Sequence, residues 1–274
     1  MCKKVILNAP FDAMWQDRDV FAEVFDMEGE VFRHVKSRRT FRIEVGGKGF
    51  FVKVHRGIGW KEIFKNLLQF KIPVTGARNE YDALQYLAAI NVPTMEAAAF
   101  GERFANPAAK ESFLITRELE NIISLEDLGK EPVEPVLRLK LIRQVALSAG
   151  KMHRAGINHR DCYICHYVLD KNSINDKEPV VSVIDLHRAQ KRSKVPWRYL
   201  VKDVAGLEFS AWSAALTRRE ALRFVRWYSG RHLKDELKNN GRFWQQVEYT
   251  AARLYCKENK IPFKGFIPFE TNSK

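Results

Sequence analysis

The chain has 274 residues, with 46 Lys and Arg against 33 Asp and Glu for a formal net charge of +13, and 46% hydrophobic and 12% aromatic residues. That apolar content suffices for one substantial core or two small lobes and excludes a disordered chain. The uncharged stretch Leu84–Met95 is well short of the roughly 18 to 20 apolar residues that span a bilayer, so no transmembrane segment is expected.

Met1-Cys2-Lys3-Lys4 is followed only by Val5-Ile6-Leu7 before polar residues intervene, so no secretory signal is expected and the protein is placed in the cytoplasm. Cys2, Cys162, Cys165 and Cys256 are too few and too irregular for a disulfide framework and are expected to be thiols. The positive charge attracts phosphate, anionic lipid, nucleic acid or an acidic protein without choosing among them.

In chain order, Thr40–Val45 and Phe50–Val54 alternate around Gly46-Gly47, the pattern of a β-hairpin. A basic segment from His55 through Lys61, Lys65 and Lys71 follows. A helix is expected through Tyr81, Leu84 and Leu87, stopping near Asn91 to Pro93. Ser112–Thr116 reads as a strand, and Ser124 with Asp127 as a capped helix start. Leu137, Leu141, Val145, Ala149 and Met152 share one helical face, with Gly156 where a C-terminal cap belongs. Short strands are expected at Tyr167–Leu169 and Val180–Ile184 around a polar loop. Thr217 with Glu220 forms a capping box that opens a helix ending at Gly230. The chain is thus strand-rich first and helix-rich afterwards.

Two acids are expected at the loop ends of neighbouring strands: Asp161 in His159-Arg160-Asp161, and Asp185 after Val183-Ile184. One carboxylate to accept a hydroxyl proton and another to hold a divalent metal is what phosphoryl transfer needs, because that chemistry is mostly positioning and charge neutralisation. Lys53, on an earlier strand, can reach nucleotide phosphates, and Glu80 on the following helix can pair with it. The order of lysine strand, glutamate helix, His-Arg-Asp loop and strand-end Asp carries more weight than any one of them.

With these residues the sequence resembles the protein-kinase-like fold, and more closely the lipopolysaccharide core heptose(I) kinases. The resemblance extends over nearly the whole chain: Gly29–Arg33, Arg38–Thr40, His55–Gly57, Lys65–Leu68, Ala155–His166, Val183–Gln190 and Lys202-Asp203. It implies an α+β fold with an antiparallel-sheet N-lobe over 1–117 and a mainly helical C-lobe over 118–274. ATP is then expected between the lobes, with its adenine at a hinge formed by Glu118 and Leu119. It implies Asp161 as catalytic base, Asp185 as the Mg²⁺-binding acid, Lys53 on the phosphates with Glu80 as its partner, and His159 and Asp203 as supports of the catalytic loop. The activity implied is ATP-dependent phosphorylation of the first inner-core heptose, on the cytoplasmic face of the inner membrane, with a core glycolipid as acceptor.

Three departures from the protein-kinase pattern shape the remaining expectations. Lys36-Ser37-Arg38-Arg39-Thr40 replaces a Gly-rich loop, so side chains such as Arg38 are expected on the phosphates. His166 stands five residues after Asp161, where protein kinases carry a second metal-binding Asn; it is expected at the metal, or orienting Asp185 or the substrate. No Ala-Pro-Glu platform follows Asp185. The basic run Arg188, Lys191, Arg192, Lys194 and Arg198 suits an anionic acceptor, with Arg188 and Arg56 as expected contacts.

The nearest rival is a kinase of the same fold acting on another core sugar or on protein tyrosine. Cys162-Tyr163-Ile164-Cys165-His166 also matches a c-type haem attachment motif, and His159, Cys162, Cys165 and His166 have zinc-ligand types. Haem attachment requires export, and a zinc site there competes with Asp161, so the cysteines are taken as small buried hydrophobes. A nucleic-acid-binding module fits the charge but lacks a recognition motif, and no nucleic acid is expected. The stretch Ile58–Leu68, with Ile63, Leu67 and Phe70 on one face and Lys61, Lys65 and Asn66 elsewhere, is read as docking on anionic membrane or as a core-facing helix. The charge also admits an acidic partner such as an acyl carrier protein.

Overall fold

The computed structural model describes residues 2–35, 38–57, 59, 60, 64, 68, 76–104 and 106–263. Two units separate by their internal packing: Met1–Tyr86 with Met95–Leu119 and Leu186–Arg188, and Leu87–Thr94 with Glu120–Asp185 and Ala189–Lys274.

The first unit carries an antiparallel sheet of β1 (Cys2–Leu7), β2 (Glu30–Val35), β3 (Arg38–Val45), β4 (Lys48–His55), β5 (Ala97–Phe104) and β6 (Glu111–Arg117), in spatial order β1-β5-β6-β4-β3-β2. Gly46 and Gly47, at φ 60° and 72°, close the β3–β4 hairpin. Consecutive positive φ values give a turn whose twist matches that of the strands, and only glycine takes them without strain. Alternation along β4 then sorts its two faces: Phe50, Val52 and Val54 are buried in an aromatic core with Phe11, Trp15, Phe21, Phe41 and Phe113, which leaves Lys53 on the opposite face. Two short helices, α1 (Phe11–Met14) and α2 (Val20–Asp26), add Phe11, Val20, Phe21, Val24 and Phe25 to that core. The helix α3 (Arg78–Ala89) stops at Asn91, whose φ of 53° ends it where expected.

The second unit is mainly helical. The expected helix start at Ser124 is real but brief: Ser124 Oγ accepts from the Asp127 N–H, and α4 (Leu125–Leu128) makes a single turn before Gly129. Helix α5 (Pro135–Arg154) is followed by Gly156 at φ 80°, α6 (Trp197–Ala211) and α7 (Arg218–Ser229) come next, and α8 (Leu233–Glu258) is kinked at Asn240. Both halves of the Thr217/Glu220 capping box form, and α7 ends at Gly230 with φ 68°. Val201, Val204, Ala205, Val247, Ala251 and Ala252 form the contact between α6 and α8.

The short strands β7 (Ile122–Ser124), β9 (Tyr167–Asp170) and β10 (Val181–Val183) make one sheet, while β8 (Ile157–Asn158) pairs with β11 (Gln190–Lys191). This corrects one expectation. The strands that precede Asp161 and Asp185 are β8 and β10, and they belong to different sheets rather than lying side by side. What joins them is the His159 side chain, whose Nε2–H donates to the Ile184 carbonyl at 3.0 Å. Of the stretch read as amphipathic, Ile63, Leu67, Phe70, Lys61, Lys65 and Asn66 lie outside the described residues. Trp60, Phe64 and Leu68 are described and are 50%, 57% and 82% exposed.

Candidate active site

In the first unit, the face of β4 that is left outside the aromatic core gathers cations around one carboxylate. Lys53 Nζ hydrogen-bonds Glu80 Oε1, which the first turn of α3 presents; Glu80 is buried and only 13% of the Lys53 side chain is exposed. Two residues on from Lys53 and so on the same face, His55 is buried beside Arg38, Lys53, His187 and Lys110. Burial first, and then the charges of Arg38 and Lys53, push its imidazole down to about 3, so it is neutral and adds no charge. Arg38, opposite His55 in the β3–β4 register, keeps its Nε buried with no hydrogen-bond partner.

The other residues expected at the nucleotide or acceptor are placed as follows. Glu118 accepts from Arg42 Nε at 2.8 Å, and its own N–H donates to the Gly49 carbonyl at 2.9 Å, so its side chain and amide are engaged within the sheet; Leu119 closes this unit. Arg56 is exposed, its guanidinium 4.9 Å from the Phe25 ring centroid. Arg188 is half-buried in the turn Leu186–Arg188.

In the second unit, the loop after β8 is held from below by Asp203 of α6. This fully buried carboxylate accepts the His159 N–H at 2.6 Å and the Arg160 N–H at 2.9 Å. The pair of bonds fixes Arg160 at φ 76°, a left-handed conformation that a residue with a side chain adopts at a cost. Close approach of α6 makes them possible: a Cβ on Gly206 would lie 2.6 Å from the Cys162 carbonyl oxygen.

His159 is buried and stacks on His166, centroids 5.5 Å apart and planes 7° from parallel. Burial pulls the His159 imidazole down and keeps it neutral, against the charge of Asp203. His166 Nδ1 lies 2.7 Å from the Asp161 carbonyl oxygen and its Nε2 3.6 Å from Asp185 Oδ2. Its imidazole is raised to about 9, first by the hydrogen bond with the Cys165 side chain, then by the Asp161 carbonyl and the Asp185 charge, against burial. With both nitrogens protonated, Nδ1–H donates to the Asp161 carbonyl and Nε2–H faces the Asp185 carboxylate. One ring thus holds both acid-bearing loops. Asp185 itself sits at φ 58°, its side chain 37% exposed.

Among the described residues no group of three or more His, Cys, Asp or Glu side chains is gathered as a metal cage. Mg²⁺ needs none, because one or two carboxylates with nucleotide phosphates and water complete its octahedron. Asp185 is an oxygen donor of that kind. Cys162 is buried with its Sγ 3.5 Å from the Tyr167 hydroxyl, and burial raises its thiol well above the ordinary range; Cys165 is only half-buried.

Sequence reasoning did not anticipate a cavity of about 410 Å³ in the second unit, lined by Leu141, Val145, Leu207, Phe224 and Trp244 among others. Glu208 and Glu248 also line it, and burial, then the neighbouring Glu248, lifts the Glu208 carboxyl to about 8. The side chains come from five helices distant in sequence, so no local pattern announces it.

A sheet unit with a lysine–glutamate pair, followed by a helical unit with a braced His-Arg-Asp loop, defines a phosphotransferase of the protein-kinase-like fold. The family model described as lipopolysaccharide kinase (Kdo/WaaP) family matches residues 22–228, and the chain belongs to that family. It is 45% identical over 262 residues to the lipopolysaccharide core heptose(I) kinase WaaP of Pseudomonas aeruginosa, covering 94% of this chain and 98% of that one. It is likewise 45% identical over 255 residues to the WaaP heptose(I) kinase of Escherichia coli, covering 91% and 96%. A solved structure of WaaP in complex with acyl carrier protein superposes with a TM-score of 0.80 at 40% identity, covering 92% of this chain and 99% of that one. The chain is a kinase, and kinases of this family use ATP.

Proposed function

We propose that the chain transfers the γ-phosphoryl group of ATP to a hydroxyl of the first inner-core heptose of lipopolysaccharide. The observation that supports this most directly is the near-full-length identity to heptose(I) kinases, which spans the Lys53–Glu80 pair and the Asp161 loop alike. In this reading residues 1–117 form the nucleotide-phosphate lobe and 118–274 the catalytic lobe, with Glu118 and Leu119 at the adenine.

Lys53, its direction fixed by Glu80, takes the phosphates, and Arg38 adds a second cation where a Gly-rich loop is missing. Asp161 accepts the proton of the heptose hydroxyl as that oxygen attacks phosphorus in line with the leaving ADP. Asp185 holds Mg²⁺, which when bound neutralises charge on the transferring phosphoryl group. His166, its Nε2 3.6 Å from Asp185 Oδ2, orients Asp185 rather than ligating the metal, because Mg²⁺ prefers oxygen donors. Asp203 and His159 support the loop, and Arg188 and Arg56 meet the anionic acceptor.

Among the described residues no helix is long and apolar enough to cross a membrane. We place the chain on the cytoplasmic face of the inner membrane as a peripheral protein, where its acceptor is made. The neighbour solved with acyl carrier protein and the charge of +13 support an acidic carrier protein as partner; the apolar cavity is the part of the chain suited to an acyl chain.

Phosphate transfer from labelled ATP to core glycolipid lacking this phosphate tests the reading, with Asp161→Ala alongside. Transfer by the unaltered chain alone is expected. Transfer to another core sugar or to tyrosine, with none to heptose, would replace the acceptor; undiminished transfer by Asp161→Ala would remove the base.

A further inference from the structure

His153, in the last turn of α5, bridges two elements that the reaction has not yet involved together. Its side chain is 3% exposed, with Nδ1 2.7 Å from the Tyr228 hydroxyl and Nε2 3.4 Å from Asp203 Oδ2. The Asp203 carboxylate can only accept, so Nε2 carries a proton toward it. The Tyr228 hydroxyl, which can donate or accept, is the partner of Nδ1.

Tyr228 is itself held on every side. Phe224 stacks on its ring at 5.8 Å and Trp244 meets it edge-on at 5.6 Å, and both line the apolar cavity. Its carbonyl accepts from Arg154 Nη1 at 2.6 Å, and a Cβ on Gly150 would come within 2.5 Å of that carbonyl, so glycine is what lets α5 and α7 approach closely enough. Burial raises the phenol, which therefore remains a hydroxyl donor.

We propose that Tyr228 is a positioning residue for phosphoryl transfer. Through His153 it fixes the Asp203 carboxylate, Asp203 fixes the amides of His159 and Arg160, and these set the left-handed turn that presents Asp161. Without the hydroxyl, Nδ1 becomes a buried polar atom that has lost its partner, and the imidazole loses the bond that holds its plane toward Asp203. Loss of such outer support typically costs about 10- to 100-fold in activity. The inference rests on Asp161 being the base, but its structural half, the order of the loop, can be measured without that assumption.

The test compares Tyr228→Phe, His153→Ala, His153→Gln and the double variants that join Tyr228→Phe to each His153 substitution with the unaltered chain, at matched folded fraction. Tyr228→Phe keeps the ring and its aromatic contacts. It is expected to lower kcat about tenfold with KM for ATP unchanged, and to speed amide hydrogen exchange at residues 159 and 160. The double variant Tyr228→Phe with His153→Ala should be no worse than His153→Ala, because residues acting in one chain are not additive. His153→Gln, whose amide can donate where Nε2 did, should recover part of the rate. Tyr249→Phe, exposed on α8, should change nothing. An unchanged kcat, a loss confined to KM, or multiplicative losses in the double variant would overturn the proposal. Faster exchange at 159 and 160 together with full transfer by Asp161→Ala would instead locate the error in the base assignment.

Discussion

Lys53 and Glu80 illustrate how burial changes the meaning of an ion pair. On an exposed surface it would contribute little; here, with both side chains largely withdrawn from water, removing one partner strands a buried charge. Lys53→Met is therefore expected to destabilise the fold by about 3 kcal/mol and to abolish transfer. Lys53→Met with Glu80→Met should regain most of that stability in urea unfolding while remaining inactive. Equal stability of single and double variants would mean that the pair is solvated in solution.

Glu208 gives a pH signature in the opposite sense to an ordinary carboxylate. Its folded-state value near 8 lies above the usual 4.5, because burial and then the Glu248 charge disfavour ionisation. The folded chain thus holds a proton that the unfolded chain has released, and stability is expected to fall as pH rises from about 5 to 8. Arg138 and Arg218 also line the cavity. Glu208→Gln should flatten the slope of urea midpoints across it. An equal slope in both proteins would assign the effect elsewhere.

Elements that carry their own punctuation were legible in the sequence. Gly46-Gly47 between alternating runs announced the hairpin, and Thr217 with Glu220 and Gly230 announced both ends of α7. Thr217→Ala should cost about 1 kcal/mol, read by chemical denaturation, and because α7 carries Tyr228 it should also loosen the loop at Asp161. Where local preference and tertiary demand disagree, the reading failed. β5 begins Ala97-Ala98-Ala99, poor strand formers that are buried because β1 and β6 flank them. The polar first half of α8 hid a 26-residue helix whose apolar side faces α6. Within the site, Asp161 and Asp185 were legible from short motifs. The two-sided grip of His166 was not, because it depends on β8 and β10 lying in separate sheets. His153 and Tyr228, 75 positions apart, have no shared sequence signal at all. At the same scale, Trp60, Phe64 and Leu68 recur every four residues and are exposed, the spacing of one helical stripe. Leu68→Asp is expected to reduce co-sedimentation with anionic liposomes; unchanged binding would dismiss the stripe as a lipid contact.

At the scale of the molecule, a charge of +13 makes association with acidic partners faster and tighter at low salt. Affinity for an acyl carrier protein, measured by interferometry, should fall steeply between about 50 and 500 mM salt, whereas an association carried by the apolar cavity alone would be nearly salt-independent.

The edge strand β1 bears on how the protein is made. β1 is made well before β5, the strand it pairs with among the described residues, with Leu7 opposite Ala99 and Cys2 opposite Phe104. At roughly 5 to 20 residues per second of synthesis, the strand waits some 5 to 20 s for a partner. During that interval its open backbone edge could recruit other nascent chains. Lys3 and Lys4, set side by side in the strand, give it a charge that opposes such pairing, so neutralising them should lower soluble yield during expression while leaving the finished enzyme intact.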